Sequence, residues 1–428
     1  MIEIFHFIDT MKKVCFLFLL SIIFLANTGY TQVMGCTDPN SNNYNPSATQ
    51  NDGSCTYNMT IYNPPIKYLL PDEIEESSGL AYHNGRLWTI NDSGGLPKLY
   101  AFDTVTGEII QRITVFGAQN TDWEALADDD VYIYIGDFGN NAGTRDDLKV
   151  FRLKKADIPD DGDANVNSDI INFSYSDYSS DDVKSKNHNF DCEALIATDE
   201  WLYLFSKNRG NQKSKLYQLP KNPGDYTAQL INTFNTSGLI TGADINLEKN
   251  EVTLIGYVDQ SWVPFAWLLF DYEGDGFFSG NKRRIDMPNI VASQTEAIVY
   301  TIGRNEIVTS EGHILFSQSA YDFNSGKWTE NSPSGMEDVQ AGQFDFVLSP
   351  NPVKKSKITV EILRLPIGEY ELAIYNSMGK LVDSNKYTLS RKSGNTKIKI
   401  KVGKYPAGYY FVRLSSGNQV VEKKFIKN

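Results

Sequence analysis

Between residues 60 and 327 apolar and polar positions alternate with a period of two, in short runs separated by Gly, Asn, Asp and Pro, and no run keeps helical spacing. Alternation over a handful of residues marks half-buried strands, so this stretch is expected to be all-β. The alternation returns from residue 344 to the end, in ITVEI, GEYELAIYN, TKIKIKV and YYFVRL, and predicts a small antiparallel sandwich. One segment is almost unbroken in its apolar character: residues 14–25, interrupted only by Ser21, preceded by Lys12 and Lys13 and followed by the small and polar residues 26–32. A membrane-spanning helix needs roughly 20 apolar residues, so residues 1–32 read as a signal peptide, and the mature chain has no transmembrane segment.

The strand-rich stretch repeats itself. Five related phrases open the repeats: ESSGLAY at 76–82, DWEALAD at 122–128, DCEALIA at 191–197, ITGADIN at 240–246 and QTEAIVY at 294–300. A second strand follows each one (RLWTIN, VYIYIG, WLYLFS, EVTLIG, EIVTSE), and then a third (KLYAFD, LKVFRL, KLYQLP, FAWLLFD, ILFSQS). A fourth strand precedes the next phrase in RITVF, IINFSY, LINTF and RRIDM, and IKYLL at 66–70 holds the same place before the first. That strand is expected to complete the fifth repeat and close a ring, which removes exposed sheet edges. The expected fold is a β-propeller of five blades. Six blades follow if residues 154–190 supply another, but DDGDANVNSD and SSDDVKSKN there read as loop.

In a four-stranded meander the start of the first strand and the turn between strands two and three share one face, and the first strand lies nearest the axis. Glu124, Glu193 and Glu296 are therefore expected at one channel mouth with Ser77 or Ser78 and Thr241. Two carboxylates about 5 Å apart repel by roughly 3 kcal/mol at an effective dielectric near 20, so the three call for a cation, protons or hydrogen bonds. Calcium suits oxygen ligands best, with Ser78, Glu124, Glu193, Thr241 and Glu296 as its ligands. The other reading has each Glu capping its strand by accepting backbone N–H bonds. Zinc is disfavoured, because His83, His188 and His313 lack ligand spacing. On the rim, Asp92, Asp137, Arg145, Lys207 and Arg209 are charged beyond what turn chemistry requires. Two functions fit that rim. In one, the propeller binds a small molecule, glycan or protein without catalysis. In the other it is a metal-dependent phosphohydrolase: Asp92 or Asp137 orients water, and Arg145 or Arg209 steadies developing charge. Cys192 reads as a buried small residue, and Trp123, Trp201, Trp262 and Trp267 as packing, with a rim Trp able to stack on a sugar.

Charge and cysteines set the boundaries. From residue 344 onward there are 16 Lys plus Arg against 6 Asp plus Glu, which leaves 24 against 47 in the rest. A basic tail thus follows an acidic body that would repel a nucleic-acid polymer. Cys36 and Cys55 bracket a stretch of turn formers too poor in apolar residues to fold alone, so they are expected to pair. Asp38, Asn40, Asn42 and Asp52 there could hold calcium, or the segment is a solvated spacer. The expected order is a signal peptide at 1–32, the stapled segment at 33–59, the propeller at 60–327, a linker at 328–343 and the tail at 344–428.

Two resemblances add to this reading. The tail resembles the type A C-terminal sorting domain of type IX secretion, through Pro350, Asn351 and Pro352 at entry, YNSMG ending at Gly379, PAG ending at Gly408, and a Lys-rich exit. It implies an immunoglobulin-like β-sandwich, engagement of the outer-membrane translocon, and secretion or display at the surface of a Gram-negative bacterium. The GCTDP…DGSC segment is similar to a short module of Bacteroidetes-type secreted proteins. The order Ser78, Glu124, Glu193, Thr241, Glu296, with Asp92 after the second strand, resembles the calcium-activated nucleotidase (apyrase) family. That resemblance implies five blades around a central calcium. This chain departs from it at Thr241–Asp244, where the family usually has paired serines.

Overall fold

The computed structural model describes residues 32–183, 185–290, 294–312, 317–330, 345–350, 352–354, 356–363, 368–376, 380–389, 396–416 and 419–427. The expected signal peptide lies outside these but for Gln32. No helix among the described residues is long and apolar enough to cross a membrane. The chain is nearly all β and forms two compact units, Met1–Asn331 and Ser332–Asn428.

In the first unit each phrase becomes the inner strand of a four-stranded antiparallel sheet. Sheet one is Ser77–His83, Arg86–Asn91, Lys98–Asp103 and Ile109–Phe116; sheet two is Trp123–Asp128, Tyr132–Asp137, Lys149–Lys154 and Ala164–Tyr175. Sheet three is Cys192–Ala197, Trp201–Ser206, Ser214–Pro220 and Gly224–Phe234; sheet four is Leu239–Asn246, Glu251–Tyr257, Pro264–Phe270 and Asn281–Asp286. Sheet five takes Thr295–Tyr300, Asn305–Ser310 and Ser319–Asn324 from the end of the unit and Ile66–Leu69 from its beginning, with Leu69 opposite Ser319. The early strand therefore completes the last sheet, as its pattern predicts.

Packing closes the circle. Trp88, Ile90 and Leu99 of sheet one meet Trp123, Ile135 and Leu153 of sheet two. Equivalent apolar clusters join sheets two and three, three and four, four and five, and five and one. An inner strand is thus covered on both faces, which is why Cys192–Ala197 and Thr295–Tyr300 are buried throughout. An outer strand such as Ile109–Phe116 keeps alternate residues in water.

Three expectations need correction. ANVNSD is not loop: Ala164–Tyr175 is one strand of 12 residues, whose start pairs in parallel with Ile113–Phe116 of sheet one. Val166 is its one buried anchor there, so polar neighbours hide the pattern. The third strand of sheet five is Ser319–Asn324 rather than ILFSQS, because Ala320, Tyr321 and Phe323 supply the apolar face; residues 313–316 lie outside the described residues. Trp328, expected in a linker, sits in the short helix Gly326–Thr329 and packs on Tyr62 and Phe323.

Cys36 and Cys55 form the expected disulfide. Their segment is no free spacer: Asn51 donates to Asp271 O and Asn281 Oδ1 of sheet four, at 3.0 and 2.9 Å, and Thr37 reaches Asp271 Oδ2. Asp38 spends both carboxylate oxygens inside the segment, on the Asn40 amide and the Tyr57 hydroxyl.

The second unit has two antiparallel sheets, Asp345–Ser349, Lys357–Leu363 and Thr396–Lys401 in one, and Leu381–Leu389, Gly368–Asn376, Gly408–Ser416 and Gln419–Lys427 in the other. Phe346, Ile358, Ile374, Val412 and Phe425 share their core. Of the sorting-signal residues, Pro350 and Pro352 are exposed and Gly408 opens a strand; Asn351 and Gly379 lie outside the described residues.

Candidate functional site

All five inner strands carry a β-bulge, at the same place. Pairing jumps from Ser77 to Gly79, from Trp123 to Ala125, from Cys192 to Ala194, from Ile240 to Gly242 and from Thr295 to Ala297, while the partner strand advances by one residue. The residues left over are Ser78, Glu124, Glu193, Thr241 and Glu296, the five expected at the axis. A bulge bends its strand and re-aims the extra side chain, so one backbone device presents all five on one face.

The five then divide by chemistry. Ser78 donates its hydroxyl to Trp123 O at 3.0 Å, and Thr241 donates to Thr295 O at 2.5 Å, each reaching the residue before the bulge of the next sheet. Glycine follows both, and a Cβ at Gly79 or Gly242 would strike the next inner strand's backbone. Hydroxyl and glycine thus draw sheet one onto two and sheet four onto five. The Glu residues are followed by Ala and reach into the site instead.

Glu193 has a cation of its own. Lys207, buried at the exit of the second strand of sheet three, pairs its ammonium with Glu193 Oε2, and Arg209 Nη2 lies 4.0 Å from Oε1. Burial opposes charge on Lys207, but Glu193 and then Glu296 outweigh it and hold its pKa well above the ordinary value. Glu124 and Glu296 accept no hydrogen bond and make no ion pair among the described residues, although each is only 5% exposed. Burial first, then Glu193 and Asp92, raises the Glu124 carboxyl well above the usual range; burial raises Glu296 likewise, against the pull of Lys207.

Asp92, Asp122 and Glu124 bring one carboxylate oxygen each within 4.8 Å of one another. Asp122 is pushed up to about 6, by burial and then by Asp92. It is the member that sequence reasoning missed. The signal was the spacing in TDWE: two residues before a bulged Glu, Asp122 has its side chain beside it. Asp191 holds the matching place in sheet three, where its Oδ1 accepts from the Asn140 amide and its buried Oδ2 has no hydrogen bond. Behind Lys207, Tyr257 donates its hydroxyl to Gln294, and Gln294 donates to Glu311, whose carboxyl burial pushes up to about 7. Trp262 stacks on Tyr257 with ring centroids 5.1 Å apart, and stays 43% exposed at the rim.

The remaining candidates are committed to each other. Asp137 is buried, accepts from Arg145 Nη2 at 2.9 Å and from the Asp122 amide at 3.2 Å. Arg145 also pairs with Asp147. Arg209 Nε lies 3.6 Å from Asp191, and its Nη2 donates to Asn141. Cys192 is a buried free thiol that burial keeps protonated. A cavity of about 780 Å³ opens at the other end of the ring, among the turns that join strands one and two of the sheets, with Asp128, Lys155 and Asp244 in its wall. It is not the cluster the bulges build.

Residues 348–428 match the family model described as "Secretion system C-terminal sorting domain". No curated protein matches the sequence. Among solved structures the chain is similar to an exo-beta-1,3-galactanase from Phanerochaete chrysosporium with beta-1,3-galactotriose, at 11% identity and a TM-score of 0.42, over 85% of this chain and 100% of that one. The same enzyme with galactose gives 12% identity and a TM-score of 0.41, over 89% and 98%. Hydrazine synthase of Kuenenia stuttgartiensis gives 10% and 0.32, over 81% and 77%. Similarities this distant carry no argument about activity. The sorting domain bears on location alone: the protein is exported by type IX secretion to the cell surface or beyond.

Proposed function

We propose that the exported protein is a binding protein: its five sheets form a five-bladed propeller, its tail is an immunoglobulin-like sandwich, and the ligand docks on the bulge face around a calcium ion. The observation that carries this is the convergence of Glu124, Asp122 and Asp92, with Glu124 buried and unpaired. Such a group is satisfied by protons or by a hard cation, and oxygen donors favour calcium. Trp262 offers a flat apolar surface beside it, suited to a sugar ring. A phosphohydrolase is supported less well, because Arg145, Lys207 and Arg209 already answer carboxylates.

Melting the mature protein in calcium and in chelator tests the reading. Ligand excess of about 100 times Kd adds roughly 2.7 kcal/mol, so the calcium curve should lie higher; coincident curves would overturn it. Nucleoside triphosphates with calcium should release no phosphate. Release that Asp92→Asn abolishes would establish the phosphohydrolase instead.

A further inference from the structure

The apyrase resemblance puts calcium on the axis, between Glu124, Glu193 and Glu296. We propose instead that the cation sits off the axis, on Asp92, Asp122 and Glu124 at the junction of sheets one and two, and that Lys207 is the resident axial cation, serving Glu193 and Glu296. This rests on the reading of the face as a cation-dependent binding surface and names where its cation binds.

Three observations lead there. The first is distance: oxygens of Asp92, Asp122 and Glu124 lie within 4.8 Å of one another, and each such pair, if ionised, repels by about 3 kcal/mol at an effective dielectric near 20. The second is the absence of relief. Glu124 is 5% exposed, and neither its carboxylate nor that of Asp122 has a hydrogen-bond or ion-pair partner among the described residues, so a nearly buried acceptor points into the cluster unanswered. The third is room. A Cβ on Gly139 would overlap Glu124 Oε1 and Asp122 Oδ2, so the glycine is what lets both oxygens occupy one place. The strand of sheet two brings Asp122 and Glu124, and the strand exit of sheet one brings Asp92, which ties the site to a junction rather than to the axis.

Glu296 on the axis is likewise buried and unpaired among the described residues, but the axis already holds a cation. Lys207 meets Glu193 Oε2 there, and the positive charge felt by Glu296 comes first from the same ammonium. A metal on the axis would have to displace a buried ion pair. The Ser78 and Thr241 hydroxyls, the other axial candidates, hold neighbouring strands together. Three carboxylates supply part of a calcium shell of six to eight oxygens. Ligand hydroxyls would complete the rest of the shell.

Calorimetric titration of calcium into the mature protein decides the matter. Wild type should bind one ion; Asp122→Asn and Glu124→Gln should weaken it at least 30-fold, and Glu193→Gln and Glu296→Gln by less than 3-fold, on the order of 2 and 0.6 kcal/mol. Asp122→Asn should melt no lower than wild type in chelator, since it removes repulsion, which separates lost binding from lost folding. Binding that survives Asp122→Asn and Glu124→Gln but disappears in Glu193→Gln would overturn the off-axis site and leave the cation-dependent face standing. No binding by wild type would overturn both.

Discussion

The two ends of the ring of sheets handle buried carboxylates differently. At the end with the open cavity, Asp128 pairs with Lys155 and Asp129 with Lys221, both at 2.5 Å, and Tyr134 donates to Asp129. At the bulge end one lysine serves Glu193, while Glu124 and Asp122 have no partner among the described residues. An open cavity therefore lies at one end and the unmet charge at the other. A void walled mainly by paired carboxylates, with Asp244 answered by the Tyr300 amide, asks less of a ligand than a cluster of unanswered carboxylates does.

One residue complicates that contrast and offers the largest test of it. Glu306, on the second strand of sheet five away from the bulges, is fully buried; its Oε1 accepts from the Ser325 amide and its Oε2 has no partner. Burial pushes it up to about 8 from an ordinary 4.5, with Asp244 adding to the rise, so this carboxyl is answered by a proton. A folded pKa above the unfolded one stabilises fully below pH 4.5 and is lost as pH climbs toward 8. Glu306→Gln should remove a pH-dependent contribution of roughly 5 kcal/mol across that window. An unchanged slope of stability against pH would show that Glu306 is already ionised.

Lys207→Met comes next. It leaves Glu193 with only the more distant Arg209 and takes from Glu296 its main positive influence, and should cost about 3 kcal/mol in chelator, read from denaturant melts. Unaltered stability would show that the axial pair is idle. Glu124→Gln should cancel most of the gain of roughly 2.7 kcal/mol that saturating calcium gives, whereas Asp128→Asn at the other end should leave that gain intact. The smallest effect belongs to the settled end: Asp129→Asn should cost about 1 kcal/mol at any calcium concentration, because its lysine is partly solvated.

Much of this was legible in the sequence, for reasons that also explain what was not. The inner-strand phrases stand out because those strands are buried on both faces, and IKYLL because ring closure needs a fourth strand in sheet five. The five axial positions were readable as a repeat, but the bulge that aims them was not, since the extra residue appears only when two strands are set in register. Lys207 and Asp92 occupy equivalent strand exits, and only the pairing shows that one answers a carboxylate and the other joins a cluster. Asp137 read as a rim acid, yet pairing places it opposite Trp123, a position deeper than Asp92's equivalent, where Arg145 takes its charge. The strand start at Ala164 was hidden because its partner is the neighbouring sheet's edge.

Diffraction from crystals of the mature protein grown in calcium tests the central claim most directly. The account predicts one ion with oxygens of Asp92, Asp122 and Glu124 at about 2.3 to 2.6 Å, and Lys207 still on Glu193. An ion on the axis bonded to Glu193 and Glu296, with the Lys207 side chain turned away, would contradict it.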